Sequence, residues 1–352
     1  MGMPTVNIVF IEKAKTVLKR SERGVVGLII KGAVPANNPV VVTGSEGIPT
    51  NFSADNKAEI ERALIGNVTP PRKIIIYCLP AAAEDLTAAL DYFENTKVNY
   101  LAVPAVTEDE MTSVEEWVDK VRANGRTIKV VLPNYEADNE AIINFATNTV
   151  ATEAGNLTAA QFCGRVAGIC AGTPLTQAIT YAKIPEATDC ERLTKSEMDQ
   201  AVDAGKLIVF NDGEKVKIAR GVNSLQTITE KKGEQFKKIK ILDVMDTMKG
   251  DITTCVQDEY IGKYTNSYDH KCLLVSSIGR YLDTLVNDQV LQYADVEIDV
   301  NAVKTYLDKQ EIDTSDMTYE DLKQADTGEK VFLVIRAKIL DAIEDIDINI
   351  EI

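Results

Sequence analysis

Six cysteines, a single histidine and a run of aspartates are the residues whose types could support chemistry in this chain. Cys78, Cys163, Cys170, Cys190, Cys255 and Cys272 form no CxxC pair, and with only His270 available a mixed His/Cys zinc site lacks material. In so large a chain they read as reduced, buried thiols of a protein made in a cytosol. Asp243, Asp246 and Asp251, with Asp258 and Glu259, could suggest a carboxylate metal cluster. Their spacing spreads them around a helix instead of converging them, which predicts a solvated face. His270 follows Asp269, but sequence neighbours need not face each other and no nucleophile is placed beside them, so a surface loop histidine is expected. The glycine pairs Gly24/Gly27 and Gly164/Gly168 complete neither GxxxxGK[ST] nor GxGxxG, and read as turns or tight helix packing. Lys231, Lys232, Lys237, Lys238 and Lys240 make the densest basic patch, with Phe236 as its one interleaved aromatic. A net charge of -16 opposes a nucleic-acid role for it. It reads instead as a patch meeting acidic residues on another copy or on a neighbouring protein of the same assembly. Catalytic, cofactor-binding and metal-ligating residues are therefore all read as none.

The elements that must carry these residues follow from composition and rhythm. A chain of 352 residues, 45% hydrophobic and 26% charged, can bury at least one sizeable core and has room for two domains. No stretch approaches the roughly 18 apolar residues of a membrane span, and Met1–Val17 reads as lacking a signal h-region. GVVGLIIK from Gly24 predicts a buried strand, and Ser53 to Ile65 a helix. Strands are then expected at Lys73–Leu79, Tyr100–Val103 and Thr127–Leu132. Helices are expected at Ala83–Glu94, Glu108–Ala123, Asn139–Phe145 and Thr158–Ala171. This alternation predicts a mostly parallel, helix-covered sheet. Beyond it come a short helix to Ala204 and a hairpin around Asp212-Gly213. Long helices at Phe236–Asp258 (broken at Gly250) and Lys271–Tyr293 follow, then a helix Val300–Lys309 and a strand Lys330–Leu340. The fold class is α/β and α+β: an N-terminal βα-type sheet domain, a C-terminal mixed sheet with helices, and extended strand-like arms at both ends. The expected divisions are 1–23, an arm and linker; 24–172, the α/β domain; 173–340, the C-terminal core; and 341–352, an arm.

The two ends carry the clearest pattern. In DIDINIEI, Ile346, Ile348, Ile350 and Ile352 fall on one side of an extended chain, and Asp345, Asp347, Asn349 and Glu351 on the other. A final strand of the chain's own sheet would satisfy this pattern. An arm that extends a neighbour's sheet satisfies it too, and three features favour the arm. VFLVIRAKIL already supplies a home strand, the intervening Asp341–Glu344 lacks a turn glycine or proline, and Val6, Ile8 and Phe10 alternate similarly near the other end. Acidic residues crowd 341–352 while Lys13, Lys15, Lys19, Arg20 and Arg23 make the N-terminal stretch basic, so charge could set the register between copies. Each exposed pair is worth only about 0.2–1 kcal/mol. Main-chain bonds of roughly 0.5–1.5 kcal/mol each and isoleucines of about 1.5–3 kcal/mol each when buried would hold the joint.

Several stretches resemble phage tail sheath proteins. They are RGVNSLQT (Arg220–Thr227) followed by Glu230, Gly233 and FKKIK; YIGKYTN (Tyr260–Asn266) followed by SYDHKCLL; Arg165–Gly168 with Ala171–Pro174 and Thr180-Tyr181; and the closing DAIEDIDINIEI. The ending is similar to that of the compact sheaths of defective prophages and phage-tail-like bacteriocins of Gram-positive bacteria. The resemblance implies a subunit of a contractile sheath, stacked as six-membered rings around an inner tube and driving that tube by contraction. It implies intersubunit arms at Val6, Ile8, Phe10, Ile346, Ile348, Ile350 and Ile352. A receiving strand follows at Val331, Leu333, Ile335, Ala337 and Ile339. Implied partners are other copies of the chain, the inner tail-tube protein, and baseplate and tail terminator proteins, with no nucleic acid and no membrane insertion. The implied location is a virion tail or phage-tail-like particle, made in the bacterial cytoplasm and released by lysis. No enzyme activity and no cofactor are expected. The alternatives are a non-contractile scaffold or inner-tube protein, and an α/β enzyme with a pocket at Leu79-Pro80, Val103-Pro104 or Leu132-Pro133.

Overall fold

The computed structural model describes residues 23–351. The alternating Val6, Ile8 and Phe10 of the N-terminal arm and the terminal Ile352 lie outside the described residues. Backbone packing divides the described chain into two compact units, residues 23–250 with 339–351, and residues 251–338. The hand-over expected near residue 172 lies inside the larger unit.

Apolar runs build the larger unit from its first strand. β1 (Val25–Gly32) is buried over six consecutive residues, as a strand covered on both faces must be. It pairs in parallel with β3 (Lys73–Pro80) on one side and β4 (Tyr100–Ala102) on the other. β5 (Lys129–Pro133), β6 (Ile142–Phe145) and β10 (Lys206–Leu207) continue the parallel order beyond β4, and β2 (Val40–Val42) closes the opposite edge antiparallel to β3. Among the described residues the order is β10-β6-β5-β4-β1-β3-β2. Alternate side chains of β1 feed two cores. Val26, Leu28 and Ile30 pack with Ile60 and Ala63 of α1 (Ala54–Ile65) and with Phe162, Val166 and Ile169 of α4 (Ala159–Ala171). Val25 and Ile29 pack with Leu90 and Phe93 of α2 (Thr87–Glu94) and with Val114, Trp117 and Val121 of α3 (Glu108–Ala123).

Of the glycine pair in α4, Gly168 serves helix packing. A Cβ on Gly168 would lie 2.2 Å from the Ala63 carbonyl oxygen, so only glycine lets α4 press this closely on α1. β7 (Thr149–Thr152) pairs with β8 (Gly155–Thr158) and β9 (Ala187–Cys190) in a small antiparallel sheet. α5 (Lys195–Asp203) opens with a capping box from Thr194 and Glu197. The hairpin expected at Asp212-Gly213 is present as β11 (Val209–Asn211) and β12 (Val216–Ile218). Gly213 sits at φ 103° there, where a side chain would be strained.

Two element assignments differ from the sequence expectation. Asn139–Phe145 is a loop running into β6, not a helix. Ile142–Phe145 is an apolar run buried throughout, and such short runs carry no period that separates strand from helix. The helix expected over Lys271–Tyr293 stops at Asn287, because Gln289 turns the chain with φ 58° before a strand begins at Leu291. No glycine marks that turn.

The smaller unit holds α7 (Tyr268–Asn287), β13 (Leu291–Ile298), α8 (Val300–Lys309), α9 (Tyr319–Gln324) and β14 (Leu333–Ile339), whose last residue falls in the larger unit. α6 (Ile239–Glu259) contributes its residues up to Gly250 to the larger unit and those from Asp251 to the smaller, and it passes Gly250 unbroken. Ile298, Val303, Leu307 and Leu322 form the buried centre beside Tyr306 and Phe332. Among the described residues β13 and β14 form a two-stranded sheet. No described helix is long and apolar enough to cross a membrane.

Candidate functional site

The chain beyond β14 takes neither helix nor strand through Glu351, yet its first part is fastened. Lys240 donates to the Leu340 carbonyl, and Lys238 pairs with Asp341. Arg220 donates from Nε to Glu344 at 3.1 Å and from Nη2 to Asp345 at 2.5 Å, while the Thr180 hydroxyl donates to the other Glu344 oxygen at 2.5 Å. After Asp345 the fastening stops. Ile346, Ile348 and Ile350 are 70%, 76% and 81% exposed, so the period-two face expected to be dry meets solvent on the isolated chain. The segment thus has a root, 340–345, held to its own body, and a tip whose isoleucines are unburied. Asp341 of the root thus meets Lys238 within one chain, where the lysine patch was expected to meet another copy. Lys232 likewise pairs with Glu140 at 2.8 Å, and Lys237 with Glu234 at 3.2 Å.

The other end of the described chain is fastened in a different medium. Arg23 donates to the Thr173 carbonyl at 2.5 Å and pairs with Asp243 of α6. Asp243 also accepts from the Tyr100 hydroxyl at 2.6 Å and faces Lys129 at 3.0 Å. One helical turn on, Asp246 takes Lys129 at 2.9 Å and both Nη atoms of Arg122 at 3.1 Å. Asp243, Asp246, Lys129 and Tyr100 are all buried. The solvated face expected on this helix holds at Asp258 and Glu259, which are exposed, but not at Asp243 and Asp246. Their helical spacing, which argued against metal convergence, points both carboxylates at basic residues of the sheet. Burial alone would push the Asp246 carboxyl up, but Lys129 and Arg122 hold it below the usual range. Burial, with Asp243 adding to it, pushes the Tyr100 phenol well up, so it stays a hydrogen-bond donor. Asp251, also buried, accepts from Tyr281 at 2.7 Å within the smaller unit.

The stretch Arg220–Thr227 acts as a brace. Asn223 is fully buried; its amide donates to the Phe236 carbonyl at 2.7 Å and its oxygen accepts from the Leu225 N–H. Ser224 donates to the Asn139 carbonyl at 2.8 Å and accepts from the Asn139 N–H. Asp138 accepts from the Gln226 and Thr227 N–H groups and the Thr227 hydroxyl, which together hold its carboxyl low. These bonds fix the loop that leads into β6.

The other chemistry-bearing residues resolve similarly. All six cysteines are free, and burial raises the Cys163 and Cys170 thiols far from thiolate formation. His270 lies in the first turn of α7, where Nδ1 donates to the Thr265 carbonyl at 2.8 Å and also lies 3.0 Å from the Ser267 hydroxyl. The carboxyl end of β5 does border a depression of about 660 Å³ lined by Glu108, Asp109, Thr112, Pro133 and Tyr135. Its two carboxylates occupy the first turn of α3, where they offset the helix dipole, and Tyr135 donates to Glu115 at 2.5 Å. Among the described residues no group of three His, Cys, Asp or Glu is placed to hold a metal ion.

Of the residues assigned to a receiving strand, Leu333, Ile335, Ala337 and Ile339 lie in β14, with Val331 just before it, and none of the five is buried. The fastening residues Thr180, Arg220, Lys238, Lys240 and Arg23 were not singled out as such by the sequence. The available signal was the lysine patch 231–240, read there as meeting acidic residues on another copy, while the acidic 341–352 was set against Lys13–Arg23.

Comparison with known proteins gives a consistent answer. Residues 80–224 match the family model described as the phage tail sheath protein central domain, and residues 231–352 match the phage tail sheath C-terminal domain. The tail sheath protein of Clostridium phage phiCD119 is 37% identical over 359 aligned positions, covering 99% of each chain. A solved sheath tail protein of Desulfitobacterium hafniense superposes with a TM-score of 0.70 at 20% identity, over 83% of this chain and 94% of that one. The helical sheath of the anti-feeding prophage in its contracted state superposes with a TM-score of 0.69 at 14% identity, over 99% of each.

Proposed function

Because the chain belongs to the phage tail sheath family, we propose that it is a contractile sheath subunit joined to its neighbours by its two ends. The carrying observation is the abrupt change at Asp345, where a pinned root gives way to Ile346, Ile348 and Ile350 in open solvent. Six alternating residues with one apolar face have no reason to stay wet in an assembly. Laid along a preformed strand they gain main-chain bonds of about 0.5–1.5 kcal/mol each. Each isoleucine adds about 1.5–3 kcal/mol on full burial. β14 suits the receiver, because Val331, Leu333, Ile335, Ala337 and Ile339 are incompletely buried and an isolated two-stranded sheet is marginal without further strands. Val6, Ile8 and Phe10 would make the corresponding joint from the other end, with Ile352 completing the C-terminal face.

In this reading subunits stack as six-membered rings around a tail tube, bounded by baseplate and terminator proteins. Contraction reorients the bodies while the strand joints persist, and the work comes from surface buried between subunits, so no nucleotide or catalytic residue is needed. The solved sheath recorded in a contracted state lends this step its support. Deleting Asp345–Ile352 tests the reading. A folded, soluble subunit that forms no long hollow cylinders by electron microscopy is the expected result. Normal cylinders from the truncated chain would overturn it, and loss of the fold would return the tail to its own body.

A further inference from the structure

Both ends of the described chain are fastened to one short segment, Lys238–Asp246, at the start of α6. Lys238 and Lys240 hold Asp341 and the Leu340 carbonyl at the C-terminal root. Three residues beyond Lys240, Asp243 holds Arg23, the last residue of the stretch read as the N-terminal arm and linker. Asp243 and Asp246 are themselves bolted to the sheet through Tyr100, Lys129 and Arg122. The 220s block joins the same segment, since Ile239 N–H donates to the Gly221 carbonyl and Asn223 N–H to that of Lys237. Arg220 of that block carries Glu344 and Asp345.

We propose that Lys238–Asp246 is a clamp for both arm roots, through which tension on one end of a subunit passes to the other, with the sheet as its anchor. The inference rests on the reading of the ends as intersubunit arms. Its physical basis is geometry. A helix start braced by buried ion pairs is stiff along its axis, and both roots leave from side chains within its first two turns. In a lattice linked end to end, a load entering at residue 341–345 reaches residue 23 by way of these side chains. In the C-terminal half of the clamp the Arg220–Asp345 and Lys238–Asp341 pairs are exposed or half-exposed, and Glu344 keeps the Thr180 hydroxyl when Arg220 is removed, so these two cations can be replaced without unfolding the subunit.

The test uses the full chain carrying Arg220→Ala and Lys238→Ala together, beside the chain lacking Asp345–Ile352. Amide hydrogen exchange of the free subunit should speed up about tenfold over 340–345, while exchange in β1 is unchanged. The same variant should give sheaths that are short or broken between rings, and Lys238→Asp combined with Asp341→Lys should restore their length. A packing role alone would not be rescued by that charge swap. Unaltered exchange over 340–345, or sheaths of normal length from the double variant, overturns the clamp. If those normal sheaths coincide with a truncated chain that fails to assemble, the arm reading stands and the clamp alone is lost. If the truncated chain also assembles, both fall.

Discussion

The two chain-end roots use the same pairing of basic and acidic side chains in opposite surroundings. At the N-terminal root, Arg23, Lys129 and Arg122 meet Asp243 and Asp246 out of water. At the C-terminal root, Arg220 and Lys238 meet Asp345 and Asp341 at the surface, with Glu344 tucked beneath Arg220. Buried pairs are strong only as complete sets, because removing one partner strands a charge in a poor solvent. Surface pairs exchange freely with water and salt. One root is therefore fixed with the fold, and the other is the weaker and the more sensitive to salt.

Breaking the buried side should have the largest consequence. Asp243→Ala leaves Arg23, Lys129 and the Tyr100 hydroxyl without their shared acceptor, and should cost about 3–5 kcal/mol in chemical denaturation of the free subunit. A stability change below 1 kcal/mol would show that water reaches this site and that the two roots do not differ in kind.

Glu59 sharpens the same contrast, as a buried carboxylate with too little counter-charge. Burial pushes its carboxyl up to about 7, with Arg62 only partly opposing, whereas Asp246 between two cations goes down. A carboxyl raised in the fold is cheapest when protonated. Its penalty is absent below about pH 4.5, grows as pH rises, and is complete above about 7. Stability should thus fall by about 3 kcal/mol across that window, and Glu59→Gln should flatten this part of the profile. Urea midpoints measured from pH 4.5 to 8 decide it; an equal slope in the variant would assign the effect elsewhere.

The surface root should respond weakly. Arg220→Ala and Lys238→Ala together should lower stability by about 1 kcal/mol or less, and added salt should shrink the difference from the parent chain further. Smallest of all is the tip. Replacing Ile346, Ile348 and Ile350 with serine should leave subunit stability within about 0.5 kcal/mol, because these side chains already meet solvent. Electron microscopy of the same protein should show assembly lost. A stability loss above 1 kcal/mol would mean that the tip packs on its own subunit.

Much of the fold was legible because parallel strands and amphipathic helices write different periods into the chain. GVVGLIIK, KIIIYCL and the helix from Glu108 to Ala123 are each placed within a residue or two. Asn139–Phe145 and the end of α7 were not legible. Four buried apolar residues carry no period, and the turn at Gln289 uses a residue that does not advertise a left-handed backbone. At the candidate site the alternating isoleucines were visible as a pattern. That Asp341, Glu344 and Asp345 are held by the chain's own Lys238 and Arg220 was not, since those partners are remote in sequence and opposite charges carry no address.

By itself the sequence determined the local part of this protein. Residue order sets which faces are apolar, so it dictated the layered sheet, the helices that cover it and the alternating face of the closing segment. Tertiary structure alone decided what the charges do. Whether an aspartate on α6 is solvated or locked to a lysine depends on what the fold brings against it, and nothing in helical spacing reports the dielectric on the far side of the contact.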